Sequence, residues 1–231
     1  MNSTRLESVR TLAPSSGKAP AQIVLLLHGY GSNGADLISL APHWRPFLPD
    51  ALFLAPDALE RSAFVPGGFQ WWDLATYTPQ ALAAGAARAA PAVNLLIDEQ
   101  LGSYGLAEEN LAMVGFSQGT MLALHVGLRR ERRIAAIVGY SGMLTNAPSL
   151  PHAIRSKPLV LLVHGSADTI VPVSALDEAE HALQRVGVEV TSHVSPGLGH
   201  GVDPAGIELG GRFLRQAFGL ALPLEFPAGS G

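Results

Sequence analysis

The sequence contains the stretch "MVGFSQGTM" at Met113 to Met121. It joins an apolar run of strand length to an apolar run of helix length through the pattern G-x-S-x-G. In that context the pattern predicts a nucleophile elbow, a strained turn that lifts the hydroxyl of Ser117 above a sheet. The flanking Gly115 and Gly119 have a steric reason, because side chains there would collide with the neighbouring strand or helix. The alternative is a serine that only caps a helix between two glycines.

Outward from this turn, short apolar runs alternate with longer amphipathic or alanine-rich segments. The expected strands are 8–13, 22–27, 52–56, 111–116, 134–141, 159–163 and 189–194. The expected helices lie near 34–43, 79–101, 118–130, 173–186 and 204–218. Because near-continuous apolar strands are buried on both faces, this alternation predicts an α/β fold: a mostly parallel central sheet with helices on both faces.

The composition predicts a single domain over residues 1–231, with a core of about 6–220 and a tail of about 221–231 that frays. The chain has 231 residues, of which 48% are hydrophobic and 15% charged, as is typical of a globular protein. Its net charge is -4, and its lysines are Lys18 and Lys157 alone. We therefore expect no nucleic-acid partner, because no basic surface is available to attract one.

The absence of cysteine excludes a thiol nucleophile, a disulfide framework and a thiolate metal site. No metal is expected, because the chain has neither an H-E-x-x-H motif nor a spaced His/Asp cluster. The N-terminal stretch has no apolar core of a signal peptide, and no apolar run has the length of a membrane span. The expected location is cytoplasmic, without integral membrane association.

A nucleophilic serine needs a base and an acid, which α/β-hydrolases supply in the chain order Ser, Asp, His. The segment "LVLLVHGSADTIVP" supplies Asp168 in the loop after a strand, and "SPGLGHGVDP" supplies His200 after the last strand. His28 and His164 each precede a glycine at a strand end, and are expected to be packing residues close to the site. Asp203 is expected to cap the helix that follows it.

The segments "LLLHGYGSNGADL", "GFSQGTMLAL", "HGSADTIVPV" and "GLGHGVDPAGIELGGRFL" resemble the phospholipase/carboxylesterase family of α/β-hydrolases. This family includes bacterial carboxylesterases and acyl-protein thioesterases, and the resemblance covers about residues 12–220. It implies an α/β-hydrolase fold without a large cap domain, acting on carboxylic esters or thioesters without a cofactor. By the same resemblance Ser117, Asp168 and His200 fall on the catalytic triad.

The resemblance also assigns two further stretches. The H-G-x-G loop becomes the oxyanion loop, in which the backbone N–H of Tyr30 pairs with that of Gln118. The aromatic stretch 64–79 contains Trp71-Trp72-Asp73, which resembles a W-[FY]-D segment that borders the acyl pocket in the family but has Trp at the middle position. Gln70 stands just ahead of it, where relatives often carry an arginine or another polar residue. The residues expected to bind substrate are Phe64, Phe69, Trp71 and Trp72. The alternative is that the two tryptophans are core residues.

The glycine loop in "HGYGSNG", residues 28–34, also fits a dinucleotide-binding G-x-G-x-x-G, with Asp57 about 20 residues later to hold a ribose. A nucleotide-binding oxidoreductase is therefore an alternative. It leaves the ordered series of Ser117, Asp168 and His200 unexplained.

The function expected from the sequence is a serine carboxylic-ester hydrolase for short- to medium-chain acyl esters, with thioesters or lysophospholipids as further candidates. His200 would take the proton of Ser117, and Asp168 would hold the imidazole in the useful tautomer. Activity should then fall below roughly pH 6 to 7, where a histidine base is protonated. The partner is a small-molecule ester, and the assembly a monomer or homodimer. A non-catalytic α/β-hydrolase relative that only binds ligands is the other alternative.

Overall fold

The strands of the computed structural model form one large sheet and one small hairpin within the described residues, 5–6 and 8–221. The strands are β1 (Val9–Leu12), β2 (Gln22–Leu27), β3 (Ala51–Pro56), β4 (Glu60–Arg61), β5 (Phe69–Gln70), β6 (Leu111–Phe116), β7 (Ala136–Tyr140), β8 (Leu159–Gly165) and β9 (Val190–Ser195). The large sheet has the order β1-β3-β2-β6-β7-β8-β9, and β4 pairs with β5. In the large sheet β1 is antiparallel to β3, and all other pairs are parallel.

Helices cover both faces of the large sheet. They are α1 (Gly34–Ile38), α2 (Ala41–Trp44), α3 (Pro79–Tyr104), α4 (Gln118–Gly127), α5 (Leu150–Ala153), α6 (Ser174–Arg185) and α7 (Pro204–Ala217), with 3-10 turns at Glu108–Asn110 and Ala147–Ser149. One apolar core lies under α3, α4 and α6, and the other lies under α1, α2 and α7. Within the described residues no separate cap domain covers the sheet. The predicted α/β fold is confirmed.

The strand β2 shows why the apolar runs are nearly continuous. Ile23, Leu25 and Leu27 belong to the core on one side of the sheet. Val24 and Leu26 belong to the core on the other side. Since side chains alternate between the faces of a strand, a strand buried on both faces needs an apolar residue at every position.

Two expected helices differ from the observed ones. The helix expected near 34–43 is two short helices, and α2 carries Pro42 in its first turn, where the missing N–H of proline is tolerated. The helix expected over 118–130 ends at Gly127, so Arg130 lies beyond it and pairs with Asp98 and Glu108. The expected fraying of the tail from residue 222 onward concerns residues outside those described.

No helix within residues 5–6 and 8–221 combines the length and apolar character needed to cross a membrane. Among the same residues, no three His, Asp or Glu side chains converge into a group that could hold a metal ion.

Candidate active site

Ser117 occupies a strained position between β6 and α4. Its backbone has φ 53 and ψ -114, a left-handed conformation that few residues other than glycine adopt. Such a residue costs about 1–3 kcal/mol and persists only where neighbouring contacts hold it. The Ser117 N–H donates to the carbonyl of Tyr140 on β7 at 2.9 Å, and the Ser117 carbonyl accepts from the N–H of Thr120 at 3.0 Å. The turn between strand and helix is therefore anchored on both sides.

The two glycines that flank Ser117 have the steric role predicted from the sequence. A Cβ on Gly119 would lie 1.9 Å from the carbonyl oxygen of Leu27 on β2. A Cβ on Gly115 would lie 2.4 Å from the backbone nitrogen of Thr120. Real Cβ atoms do not approach backbone atoms so closely, so only glycine allows α4 to start this close to the sheet.

Asp168 follows β8, and both oxygens of its carboxylate accept hydrogen bonds. Oδ1 accepts from the N–H groups of Ile170 and Val171, both at 2.9 Å. Oδ2 lies 2.8 Å from Nδ1 of His200. Burial alone would raise the pKa of Asp168, but the hydrogen bonds from His200, Val171 and Ile170 outweigh it and the pKa is lowered. The carboxylate is therefore ionised at neutral pH and can only accept hydrogen bonds.

His200 stands in the loop after β9, where its ring faces both the acid and the elbow. Because ionised Asp168 can only accept, Nδ1 of His200 carries the proton and Nε2 keeps its lone pair. The ring centroid lies 5.0 Å from that of Phe116, the residue before Ser117. The side chain is 20% exposed, so Nε2 belongs to a ring that solvent and substrate can reach. Ser117, Asp168 and His200 follow the carboxyl ends of β6, β8 and β9, so the three residues lie at one edge of the sheet.

A second histidine, His164 at the end of β8, also approaches the acid. Its Nε2 lies 2.8 Å from the carbonyl oxygen of Val171 and 3.3 Å from Oδ2 of Asp168. Since both oxygens accept, Nε2 carries the proton and donates toward them. The sequence predicted a packing residue close to the site, and the ring is indeed buried. Its contact with Asp168 was missed, although the spacing of four residues and the shared loop are a weak signal for it.

The loop after β2 holds the first of the two N–H groups expected to form an oxyanion hole. In the part of the chain that the structure describes, neither the N–H of Tyr30 nor that of Gln118 donates a hydrogen bond. The Gln118 N–H is at the first position of α4, where a helix has no internal acceptor for it. Both groups therefore lack an acceptor among the described residues, as their proposed role requires.

Asp57, the residue expected to hold a ribose in the nucleotide-binding alternative, bonds to the backbone of the glycine loop. Oδ1 of Asp57 accepts from the N–H of Gly34 at 2.8 Å, so this carboxylate holds the start of α1. A Cβ on Gly34 would lie 2.2 Å from the carbonyl oxygen of Ala55, which means that this glycine allows α1 to pack on β3. The similarity of this spacing to the nucleotide-binding motif is thus explained by packing.

The four aromatic residues expected to bind substrate lie in different environments. Phe64 is 75% exposed, whereas Trp71 and Trp72 are 4% and 1% exposed. Phe69 is half-buried, with the Arg61 guanidinium 4.5 Å from its ring centre. Trp72 packs on α3, where a Cβ on Gly85 would meet its ring at 2.3 Å. Direct contact of these four side chains with a substrate stays a prediction, and the two tryptophans have the burial of core residues.

His28 is a buried, neutral imidazole under the same loop. Its Nδ1 lies 2.7 Å from the carbonyl oxygen of Gly29, so Nδ1 carries the proton. Its Nε2 accepts from the N–H of Ala58 at 3.1 Å. Burial lowers the pKa of His28, although its contact with Gly29 acts in the opposite direction. Both ring nitrogens are engaged, so His28 ties the loop to the segment after β3, as expected of a packing residue.

The family model described as Phospholipase/Carboxylesterase matches residues 12–217. Esterase YpfH of Escherichia coli (strain K12) is 27% identical over 190 residues, which cover 82% of this chain and 80% of that protein. Acyl-protein thioesterase 1 of Aspergillus fumigatus is 29% identical over 217 residues, covering 84% of this chain and 86% of that protein.

Two solved structures have the same fold. The crystal structure of esterase PE8 superposes with a TM-score of 0.87 at 38% identity, covering 91% of this chain and 98% of that chain. The phospholipase/carboxylesterase from Dyadobacter fermentans superposes with a TM-score of 0.73 at 24% identity, covering 92% of this chain and 98% of that chain. The second similarity concerns the fold alone.

Proposed function

The chain belongs to the phospholipase/carboxylesterase family of α/β-hydrolases, and on this premise we propose that it hydrolyses esters through an acyl-enzyme on Ser117. Its enzyme class, a hydrolase of carboxylic esters or thioesters, follows from the family and from relatives named esterase and acyl-protein thioesterase. The observation that carries the proposal is the 2.8 Å contact between Nδ1 of His200 and the buried carboxylate of Asp168, beside a serine with positive φ.

The mechanism follows from where the protons are. With Nδ1 protonated, the free Nε2 of His200 accepts the proton of Ser117 as its oxygen attacks the carbonyl carbon. The negative charge that develops on the carbonyl oxygen is held by the N–H groups of Tyr30 and Gln118. His200 then protonates the leaving alcohol or thiol, and a water activated by the same ring hydrolyses the acyl-enzyme. Asp168 stays ionised throughout and stabilises the imidazolium.

The substrate class that we propose is short- to medium-chain acyl esters, with thioesters and lysophospholipids open to the same chemistry. Apolar side chains around the site support this choice. Val65 packs on Gly31 of the oxyanion loop, where a Cβ on that glycine would meet it at 2.7 Å. The Tyr77 hydroxyl donates to the sulfur of Met143 at 3.7 Å, which leaves the Tyr77 ring as apolar surface, and Ile170, two residues after Asp168, is 65% exposed. Such a rim favours an apolar acyl or alkyl group over a charged one.

The experiment that tests the proposal compares hydrolysis rates of p-nitrophenyl esters from acetate to palmitate for the wild type and Ser117→Ala. We expect the wild type to have a chain-length optimum and the variant to lose several orders of magnitude in kcat, as removal of a triad serine does. Ser103→Ala is the control, because Ser103 only donates to the carbonyl of Glu99 within α3. A fluorophosphonate should label the wild type and Ser103→Ala, and leave Ser117→Ala unlabelled.

Equal and slow rates for the wild type and Ser117→Ala on every ester would contradict the proposal and favour a protein that only binds ligands. Tight binding of a nicotinamide dinucleotide would favour the oxidoreductase. The cytoplasmic location and the monomeric or homodimeric state stay predictions, which cell fractionation and light scattering would test.

A further inference from the structure

A short segment, Phe69–Trp72, lies between the two parts of the chain that carry the proposed oxyanion donors. We call these four residues the brace. On one side the brace pairs with the oxyanion loop: the Gly31 N–H donates to the Phe69 carbonyl at 2.8 Å, and the Phe69 N–H donates to the Ser32 carbonyl at 2.8 Å. The indole N–H of Trp71 adds a third bond to this loop, to the carbonyl of His28 at 2.8 Å.

On its other side the brace binds the side chain of Gln118, the residue after the proposed nucleophile. The Trp71 backbone N–H donates to Oε1 of Gln118 at 3.0 Å. Nε2 of Gln118 donates to the carbonyl of Trp72 at 2.8 Å. Gln118 is 1% exposed, so both bonds lie away from water. Oε1 and Nε2 of Gln118 are thus both held by hydrogen bonds, which also hold the first turn of α4.

Trp71 therefore bonds to both sides of the proposed oxyanion hole, through its indole to the loop and through its backbone to Gln118. The hole needs two N–H groups aimed at one oxygen from distances of about 2.7–3.1 Å. Those groups belong to segments about 90 residues apart in sequence, and the loop between His28 and Ser32 contains two glycines. We propose that Trp71 is a positioning residue that keeps the N–H of Tyr30 in register with that of Gln118. This inference rests on the proposed function.

The neighbouring tryptophan has a different role. Nε1 of Trp72 is buried without a hydrogen-bond partner among the described residues, and its ring packs on α3. Trp71 uses its indole N–H, its backbone N–H and its ring, whose centre lies 5.2 Å from that of His28. The difference points to alignment, and not aromatic bulk alone, as the function of Trp71.

The test compares Trp71→Phe with a matched variant on the other side of the sheet. Trp44 is fully buried under α7, and its indole also donates to a backbone carbonyl, that of Ile207, at 2.8 Å. Trp44→Phe therefore removes the same kind of bond and the same ring volume on the opposite face of the sheet. For each folded protein, the assay measures kcat and KM for a p-nitrophenyl ester and the inhibition constant of an alkyl trifluoromethyl ketone. The serine oxygen adds to the carbonyl carbon of that ketone, and the resulting oxyanion occupies the hole.

We expect Trp71→Phe to lower kcat by roughly 10- to 100-fold, less than the 10²- to 10³-fold that follows removal of a donor. KM should change little, because the oxyanion exists only after attack. The inhibition constant of the ketone should rise by the same factor as kcat/KM falls. Trp44→Phe should lower the melting temperature and leave kcat, KM and ketone inhibition near those of the wild type.

A second variant, Gln118→Met, keeps the backbone N–H of Gln118 and removes both side-chain bonds to the brace. It should show the same parallel loss of kcat/KM and ketone affinity, and it decides the matter if Trp71→Phe does not fold. A folded Trp71→Phe whose kcat and ketone inhibition stay within about threefold of the wild type would overturn the inference, as would equal losses in Trp44→Phe. Failure of the proposed function is distinguishable, because the wild type itself would then show no turnover that depends on Ser117.

Discussion

Replacement of Asp168 by asparagine would keep the shape of the acid and change the proton pattern of His200. The amide oxygen can replace Oδ1 and accept from the N–H groups of Ile170 and Val171. The amide NH2 then faces Nδ1 of His200, where the carboxylate had accepted. Because an amide nitrogen only donates, Nδ1 must become the acceptor and the ring proton moves to Nε2. His200 would then present an N–H to Ser117 in place of a lone pair.

The expected loss in kcat follows from the free energy of the alternative amide orientation. Turning the amide around would restore the bond to His200, but would set the NH2 group against the two backbone N–H groups. A buried donor left without a partner costs about 1–3 kcal/mol, so the wrong tautomer is favoured by at most roughly 2–6 kcal/mol, less the contacts with His200 and His164 that the turned amide would regain. A loss of about 10⁴-fold in kcat, the size found when a triad acid becomes an amide, corresponds to about 5.4 kcal/mol. The upper end of the first range approaches this second figure.

The assay is kcat at pH 7 on a p-nitrophenyl ester, with the fold checked by circular dichroism. The control is Asp203→Asn, three residues beyond His200 in the chain. Asp203 caps α7 by accepting from the N–H of Gly206 at 2.8 Å, and asparagine is an equally good cap. We expect the control to stay within about twofold of the wild type. A folded Asp168→Asn that keeps more than about a tenth of the wild-type kcat would refute the tautomer argument.

Two further predictions concern stability. Burial, and then the charge of Arg129, lower the pKa of His125 to about 4, so between that pH and about 6.5 the unfolded chain binds a proton that the folded chain does not. The free energy of unfolding should fall as the pH is lowered through this window. In urea unfolding, His125→Gln should lose less of this free energy between pH 7 and 5 than the wild type does. Equal losses in the two proteins would contradict this. Gly119→Ala would place a Cβ 1.9 Å from the Leu27 carbonyl oxygen and should lower the free energy of unfolding by more than about 4 kcal/mol. The control Gly102→Ala, in open space on α3, should be neutral or stabilising. Similar melting temperatures for the two variants would contradict this prediction.

The turn at Ser117 and the placement of Asp168 and His200 at the same edge of the sheet could be predicted because their signals are local. A strand, the G-x-S-x-G pattern and a helix are adjacent in sequence, so Ser117 needs no knowledge of distant contacts. Asp168 follows the apolar strand β8, His200 follows the mostly polar edge strand β9, and these two strands are neighbours in the sheet. Since carboxyl ends of parallel strands meet at one edge, residues that follow such strands come together.

The brace could not be predicted, because its bonds join residues without sequence proximity. Trp71 reaches a carbonyl 43 positions before it and a side chain 47 positions after it. Periodicity and propensity carry no information on such pairs, and the aromatic stretch has no regular period. The same reason explains Asp57, which fits a ribose-binding position in sequence and holds the N–H of Gly34 in the fold. Side chains that bond to distant backbone groups are visible only once the topology is known.

The strained Ser117 and the loop of His200 are joined by one continuous set of hydrogen bonds across the ends of three strands. The Ser117 N–H donates to Tyr140 at the end of β7, and the Ser141 N–H donates to Val163 of β8, both at 2.9 Å. Ser141 also has a positive φ, 47, and its hydroxyl donates to the carbonyl of Gly201 at 2.9 Å, next to His200. Each strained residue is thus held by the next strand, and the second reaches the loop of His200. The parallel sheet therefore fixes Ser117 relative to His200, its proposed base, through the same bonds that maintain the strain.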